Sequence, residues 1–194
     1  RFDVHQQAGA GIHFDDGATL FGQRLRNVFG DEIDEISVIV EVLHGTFGPD
    51  LEDALRPVGL SVGHFPQSFD LATVGGWIGS RGAGQYSTRY GKIEDMVVGL
   101  EVVLANGTVV RTGGAPAAAV GPDLTQLFVG SEGTLGVITR VWLRTHPIPE
   151  DERRAAYSFA SFGDGVEACR RILRPGATPA VLRLYDAAES QRGQ

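Results

Sequence analysis

The chain of 194 residues is long enough to bury one sizeable core or two small ones, and its 42% hydrophobic and 21% charged content is that of a globular protein. A formal net charge of −7 argues against a nucleic-acid partner, and no apolar run approaches the roughly 18 residues that would span a bilayer. The single cysteine, Cys169, excludes a disulfide framework and a thiolate metal cluster. With no apolar secretory core in the opening "RFDVHQQAGAGIHF", a cytoplasmic setting fits best.

Within residues 1–37, "GAGIHFDDGATLFG" contains a G-x-G. It lacks a third glycine at the fingerprint spacing and a preceding strand, so it is weak as a dinucleotide motif. "ISVIVEVL" (36–43) predicts a strand from its β-branched residues. "GPDLEDAL" (48–55) predicts a helix, with Pro49 and Asp50 in its first turn, Leu51 and Leu55 on one face, and Pro57 and Gly59 ending it. "GPDLTQLF" (121–128) repeats that start, with Leu124, Leu127 and Phe128 as its apolar stripe, and is read as shared helix-start chemistry. Between the two, "GLEVVLANGTVVRTG" (99–113) predicts a hairpin whose Asn106-Gly107 suits a type I′ turn.

"GVITRVWLRTHPIP" (136–149) predicts a strand with Val137, Thr139, Val141 and Leu143 on one side. Pro147 and Pro149 close it and mark a linker or domain edge. "RRAAYSFA" (153–160), "GDGVEACRRIL" (163–173) and "PAVLRLYD" (179–186) then read as strand, helix and strand, the start of a second unit. Cys169 falls beside Val166, Ile172 and Leu173 on the apolar side of that helix. It is expected to be a buried structural thiol, since a reactive one would need a neighbouring His or Cys. The chain begins without Met and stops at "SQRGQ" just after an apolar segment, so a piece of a longer protein is expected.

The common catalytic constellations lack residues to carry them. Five histidines (5, 13, 44, 64, 146) form no H-E-x-x-H or H-x-x-x-H pair, so no metal site is expected. "GSEGTLG" is not a nucleophile elbow, and a phosphate-binding G-x-x-x-x-G-K-[ST] does not occur. Glycine, by contrast, numbers 27 residues, about twice its ordinary share.

Two glycine-rich stretches stand out. In "VGSEGTLGVITR" (129–140), Gly130, Gly133 and Gly136 recur every three residues. That spacing either frees backbone N–H groups for a ligand's oxygens or makes an ordinary helix-to-strand loop. In "PQSFDLATVGGWIGSRGAGQYS" (66–87), Gly75, Gly79 and Ala83, and likewise Gly76, Ser80 and Gly84, are spaced by four. A helix from about Gly75 is expected to be approachable on two faces, with Gln67, Ser68 and Thr73 near an N-terminus whose free N–H groups favour an anion. The alternative is a loop packed against a neighbouring strand.

"GHFPQSFDLATVGGWIGSRGAGQYSTRYGKIEDMVVGLEVVLANGTVVRT" followed by "GPDLTQLFVGSEGTLGVITRVWLR" resembles the FAD-binding domain of FAD-linked oxidases of the vanillyl-alcohol oxidase type. Within that group it is most similar to the alkyldihydroxyacetonephosphate synthase branch and its bacterial relatives. The resemblance covers residues 47–186 and implies an α+β fold. It implies mainly the second subdomain of a PCMH-type FAD-binding domain over 47–149 and the start of a ferredoxin-like cap over 150–194, after a poorly matched segment 1–46.

It also implies non-covalent FAD. Gln67, Ser68, Phe69, Asp70, Leu71, Ala72 and Thr73 would line the flavin and pyrophosphate, with Gly75 and Gly76 close by. Ser80, Arg81, Gly82 and Ala83 would form a further contact. Glu132, Gly133, Thr134, Leu135, Gly136, Val137 and Ile138 would hold the ADP side. Arg183 matches an arginine that the synthase needs for activity and is expected near the substrate or flavin, or else buried and paired with Asp186.

Two chemistries are implied by the resemblance. Oxidase members, among them the alternative of a 2-hydroxy-acid oxidase or dehydrogenase of the D-lactate or glycolate type, take a hydride from a hydroxyl-bearing carbon, whereas the synthase exchanges acyl for a fatty alcohol without net redox change. A small-molecule or lipid-type substrate follows, as does a homodimer of the full-length protein. The family's glycine-rich pyrophosphate loop has no match in residues 1–46, and its later Tyr and His cluster is not reached. A fragment that binds no flavin is therefore the alternative.

Overall fold

The computed structural model describes residues 12–14, 39–114, 119 and 121–192; apart from Ile12–Phe14, the "GAGIHFDDGATLFG" stretch lies outside them. Its centre is a five-stranded antiparallel sheet in the order β1-β2-β6-β4-β5. These strands are β1 (Ile12–Phe14), β2 (Ile39–Leu43), β4 (Val97–Val103), β5 (Val109–Gly113) and β6 (Val137–Arg144). A two-stranded pair, β3 (Leu60–Ser61) with β7 (His146–Pro147), lies apart from it. The sheet thus draws on residues before Phe47: β2 sits between β1 and β6, with Val42 opposite Val141.

Strand residues alternate between faces. Val40 and Val42 of β2, Leu100 and Val102 of β4, and Val141 and Leu143 of β6 are fully buried on one face. They form one core with Leu51 and Leu55 of α1 (Gly48–Leu55), Val74, Trp77 and Ile78 of α2 (Val74–Gly79), and Ile93 and Met96 of α4 (Ile93–Met96). Each such side chain contributes on the order of 2 kcal/mol of apolar burial. A charged row crosses the strands from intervening residues. Arg140 Nη1 reaches Glu41 Oε1 at 2.6 Å, and Arg111 donates to Glu101 Oε2 from Nε and Nη2 at 2.9 and 2.7 Å. Arg111, with the Thr139 hydroxyl and Arg140, holds the Glu101 carboxyl below the ordinary range.

The α1 helix occupies the expected span, and Gly59 (φ 73°) terminates the 3-10 turn Arg56–Val58 that follows it. The second "GPDL" behaves differently. In α1 the Gly-Pro-Asp triplet lies inside the helix, whereas α5 (Leu124–Phe128) begins after it, with the Asp123 carboxylate accepting from Thr125 N at 2.9 Å and Gln126 N at 3.3 Å. The expected apolar stripe shifts with it: Thr125 and Phe128 are buried, and Leu124 and Leu127 are exposed.

The β4–β5 hairpin forms, but not through a type I′ turn. That turn needs positive φ at both central residues, and of Asn106 and Gly107 only Gly107 has it (82°). The chain instead closes from Gly107 N to Leu104 O at 2.9 Å, with Asn106 Oδ1 accepting from Thr108 N at 3.0 Å.

Beyond β7 the expected strand–helix–strand unit is realised only in its helix, α6 (Phe162–Leu173), begun by Ser161 Oγ accepting from Asp164 N at 3.2 Å. "RRAAYSFA" and "PAVLRLYD" form no strands, because among the described residues no neighbour supplies their ladder hydrogen bonds. Leu182 and Leu184 are half-buried, with Leu184 against Gly165, while Val181, Arg183 and Tyr185 are exposed. Cys169 is only half-buried, because Val166, Ile172 and Leu173 around it are themselves exposed. Two further short helices are α3 (Ser87–Tyr90) and α7 (Ala187–Arg192). No helix among the described residues is long and apolar enough to cross a membrane.

Candidate functional site

The six-residue α2 lies within the first glycine-rich stretch, and its C-terminal end contacts the second. Thr73 caps it, its Oγ1 accepting from Gly76 N at 3.3 Å, and Val74, Trp77 and Ile78 turn into the core. The remaining glycines divide by face. A Cβ on Gly75 would lie 2.9 Å from His44 Cβ and 3.1 Å from His44 O, so this glycine permits packing of α2 on the loop after β2. A Cβ on Gly76 would meet only Thr73 Oγ1, at 3.5 Å, and one on Gly79 would meet nothing within 4 Å. These two, three residues apart, leave an open stripe of backbone along a helix roughly 9 Å long.

The expected small-residue stripes do not continue to Ala83 and Gly84, because the helix ends at Ser80. Gly84 serves the chain's own packing, since a Cβ there would lie 2.7 Å from Phe65 N. Nor does the helix present free N–H groups to an anion. Val74 N donates to Thr46 O (2.9 Å), Gly75 N to His44 O (2.8 Å) and Gly76 N to Thr73. Those carbonyl acceptors, from "HGT", were invisible to motif reasoning, because any residue type carries a carbonyl.

Before α2, residues 67–73 are anchored from below. The Phe69 ring stacks on Trp77 (6.1 Å, 16°) and contacts Phe65 at 5.1 Å. Gly48 makes room, since a Cβ there would come within 2.7 Å of both the Phe69 and Trp77 rings. With Phe69 so held, Gln67, Ser68, Asp70 and Leu71 are exposed, Leu71 at 86%, and Ala72 and Thr73 are half-buried.

His64, which belongs to no metal-binding spacing, lies fully buried edge-on to Trp77 at 4.8 Å, and neither ring nitrogen has a hydrogen-bond partner among the described residues. Burial pushes its pKa down to about 4, against a smaller opposing pull from Glu94. The neighbouring turn is held by buried Glu52, whose Oε1 accepts from Val62 N at 3.0 Å; burial raises the Glu52 pKa.

At its other end α2 is tied to residues 129–133. Gly130 N donates to Ile78 O (2.9 Å) and Glu132 N to Gly79 O (3.0 Å). Arg81 Nη2 donates to Val129 O (2.9 Å) and Gln126 O (3.2 Å). Arg81 and Glu132 are the non-glycine residues with positive φ among the described residues, at 53° and 48°. Such conformations persist where surrounding contacts over-determine them, and they concentrate at functional sites.

The loop offers fewer free donors than its glycine spacing suggested. Ser131 N and Thr134 N are also used, on Phe128 O and Ser131 O. The N–H groups of Gly133 and Leu135 have no protein partner among the described residues, and both residues are exposed with Glu132, Thr134 and Val137. Gly136 serves packing, since a Cβ there would lie 2.7 Å from Val102 Cγ1, and Ile138 packs against the core.

The open α2 stripe is therefore flanked at one end by residues 67–73 and at the other by Ser80, Arg81 and residues 132–135. Ser80 Oγ donates to Gly76 O at 2.8 Å, while Gly82 N donates to Trp77 O at 2.8 Å and exposed Ala83 follows it. Chemically the surface offers bare backbone, the hydroxyls of Ser68 and Thr73 and the N–H groups of Gly133 and Leu135, while the Ser80 and Thr134 hydroxyls already donate to Gly76 O and Ser131 O at 2.8 and 2.6 Å. Arg183 is not brought there by any hydrogen bond or ion pair among the described residues. It is exposed and 3.4 Å from Tyr185 Oη, so the buried, Asp186-paired alternative does not hold; Asp186 Oδ1 instead accepts from Glu189 N at 2.8 Å.

Residues 5–113 match the sequence model of the family described as "FAD binding domain". The match takes in the N-terminal stretch where no glycine-rich loop was found. "Uncharacterized FAD-linked oxidoreductase YgcU" of Escherichia coli (strain K12) is 45% identical over 140 residues, 72% of this chain and 29% of that protein. Alkyldihydroxyacetonephosphate synthase of Caenorhabditis elegans is 37% identical over 162 residues, 84% and 27% of the two chains. Glycolate oxidase subunit GlcD of Bacillus subtilis (strain 168) is 38% identical over 156 residues, 80% and 33%. A solved structure of alkyldihydroxyacetonephosphate synthase superposes with a TM-score of 0.68 at 31% identity, covering 80% of this chain and 28% of that one. The chain thus spans about a third or less of these relatives.

Proposed function

The chain belongs to the FAD binding domain family of FAD-linked oxidoreductases, and from that membership we propose that it is the FAD-holding part of a longer flavin enzyme of the alkyldihydroxyacetonephosphate synthase-like branch. The observation that carries the reading is the open stripe at Gly76 and Gly79 between residues 67–73 and the glycine-bearing loop 130–136. A flat or phosphate-bearing group lies against such a backbone without displacing any side chain. The surrounding donors fit a dinucleotide. Residues 67–73 would receive the flavin and pyrophosphate without a covalent link, and Ser80, Ala83 and residues 132–138 the ADP side, Gly133 N and Leu135 N donating to its oxygens.

FAD would supply the electron-accepting or carbon-capturing chemistry, and the protein's part is to orient it and exclude water. Residues 47–149, together with β1 and β2 of the same sheet, are assigned to the FAD-binding domain and 150–194 to the start of a substrate-binding cap. There Arg183, exposed on an extended segment, is available to a substrate's phosphate or carboxylate. The extended pattern from Tyr86 to Met96 and the solved synthase structure favour a lipid-type substrate and ether-lipid chemistry.

A second reading, oxidation of a 2-hydroxy acid, rests on the similarity to the glycolate oxidase subunit. Titrating FAD into the purified chain while following flavin fluorescence and absorbance tests the common part. A saturable spectral change is expected, and its absence would remove cofactor binding by this chain.

A further inference from the structure

Arg81 sits among residues assigned to the cofactor by resemblance, yet its side chain is already engaged. Nη2 is shared between Val129 O at 2.9 Å and Gln126 O at 3.2 Å, carbonyls at the C-terminal end of α5, where a cation is favoured. The fit is mutual. A Cβ on Gly130 would lie 2.9 Å from Arg81 Nε and 3.2 Å from Arg81 Cβ, so the arginine lies flat on a residue that must be glycine on steric grounds and for its φ of 81°. Two backbone bonds flank it, Gly130 N to Ile78 O and Glu132 N to Gly79 O. Gln126 Nε2 donates onward to Glu94 O at 2.9 Å, tying α5 to α4. Arg81 holds this position at a φ of 53°, which a side-chain-bearing residue keeps only where its contacts fix it.

We propose that Arg81 is a positioning residue: a clasp that locks residues 129–133 to the end of α2 and so sets the spacing of the two loops that flank the open stripe. It acts on the cofactor through that spacing and not by touching it. The cofactor part of this proposal rests on the function proposed above; the clasp part does not.

Amide hydrogen exchange without FAD reads the clasp. In Arg81→Gly, which tolerates the positive φ, the Gly130 and Glu132 amides should exchange at least about tenfold faster, the scale of one charge-assisted hydrogen bond, while the Leu100 amide in β4 keeps its protection. FAD affinity, measured well below the melting temperature, should fall by a similar factor, and Arg81→Lys, which reaches one carbonyl, should recover part of both.

Unchanged Gly130 and Glu132 exchange overturns the clasp, and if FAD affinity falls alongside it, Arg81 is a direct contact. Faster exchange with unchanged affinity overturns the positioning role. Equal acceleration of the Leu100 amide means general destabilisation and also overturns it. If the glycine variant does not fold, Arg81→Lys alone decides, with intermediate exchange at Gly130 and Glu132 expected and wild-type exchange contradicting. Absence of FAD binding by the wild-type chain would sink the proposed function while leaving the exchange result to judge the clasp.

Discussion

Residues 39–147 and residues 148–192 carry similar sequence signals and reach different ends. In the first region the β-branched runs are paired on a common sheet and bury Val40, Val42, Leu100, Val102, Val141 and Leu143. In the second, "RRAAYSFA" and "PAVLRLYD" lie unpaired, and Tyr157, Phe159, Phe162, Val166, Ile172, Leu173, Val181 and Tyr185 remain exposed. Among the described residues only helices form there, α6 and the short α7. A helix closes its own backbone hydrogen bonds, with Ser161 supplying the cap of α6, whereas a strand exists only when a neighbour supplies its ladder.

Equal-sized truncations in the two regions should separate them most widely. Leu100→Ala should cost about 2–5 kcal/mol in urea unfolding, the range for a fully buried leucine; a cost below about 1 kcal/mol would mean that the sheet core is not the stabilising unit.

Acid should act next most strongly, and on the first region. The pKa of His64 is about 4 in the fold against about 6.5 in the unfolded chain, so its contribution is complete above pH 6.5 and is lost as pH falls toward 4. The slope is about 1.4 kcal/mol per pH unit at most, on the order of 3 kcal/mol in total. Glu52, with a raised pKa, contributes in the opposite sense, losing stability as pH rises from about 4.5. The difference between wild type and His64→Gln across pH 4–6.5 isolates the histidine, and an identical slope in both would reject it as the source.

Adjacent glycines give a finer contrast. Gly75→Ala should destabilise by about 1 kcal/mol or more, since its Cβ meets His44, whereas Gly76→Ala should leave the melting temperature unchanged or slightly raised. The smallest effect belongs to the second region: Leu173→Ala should stay within about 0.5 kcal/mol, and a large loss would reveal a packed surface there.

What could be read from the sequence was what is local. Pro49, Asp50, Leu51 and Leu55 specify α1 within eight residues, and the two β-branched runs around Asn106-Gly107 specify a hairpin. What failed was decided at a distance. The turn type followed the register of Val103 against Val109. The second "GPDL" began its helix three residues later because Thr125 and Phe128, not Leu124 and Leu127, face the core. The glycine-rich segments were legible as a candidate site, but which glycines serve the chain and which stand open was not. Gly75 and Gly84 are accounted for by His44 and Phe65, which no local pattern links to them. The carbonyls that consume the N–H groups of α2 were equally silent, and they shift the candidate contact from the helix end to its open side.

Gly76→Val places a side chain on that open side of the helix. A Cβ at this position meets only Thr73 Oγ1, at 3.5 Å, and Gly76 is exposed, so the variant is expected to fold, which its melting temperature checks. If FAD lies on the stripe, its dissociation constant, measured by flavin fluorescence titration, should rise about tenfold to a hundredfold, the scale of an overpacked contact. Equal FAD affinity in the folded variant and the wild type would mean that FAD does not lie on the stripe.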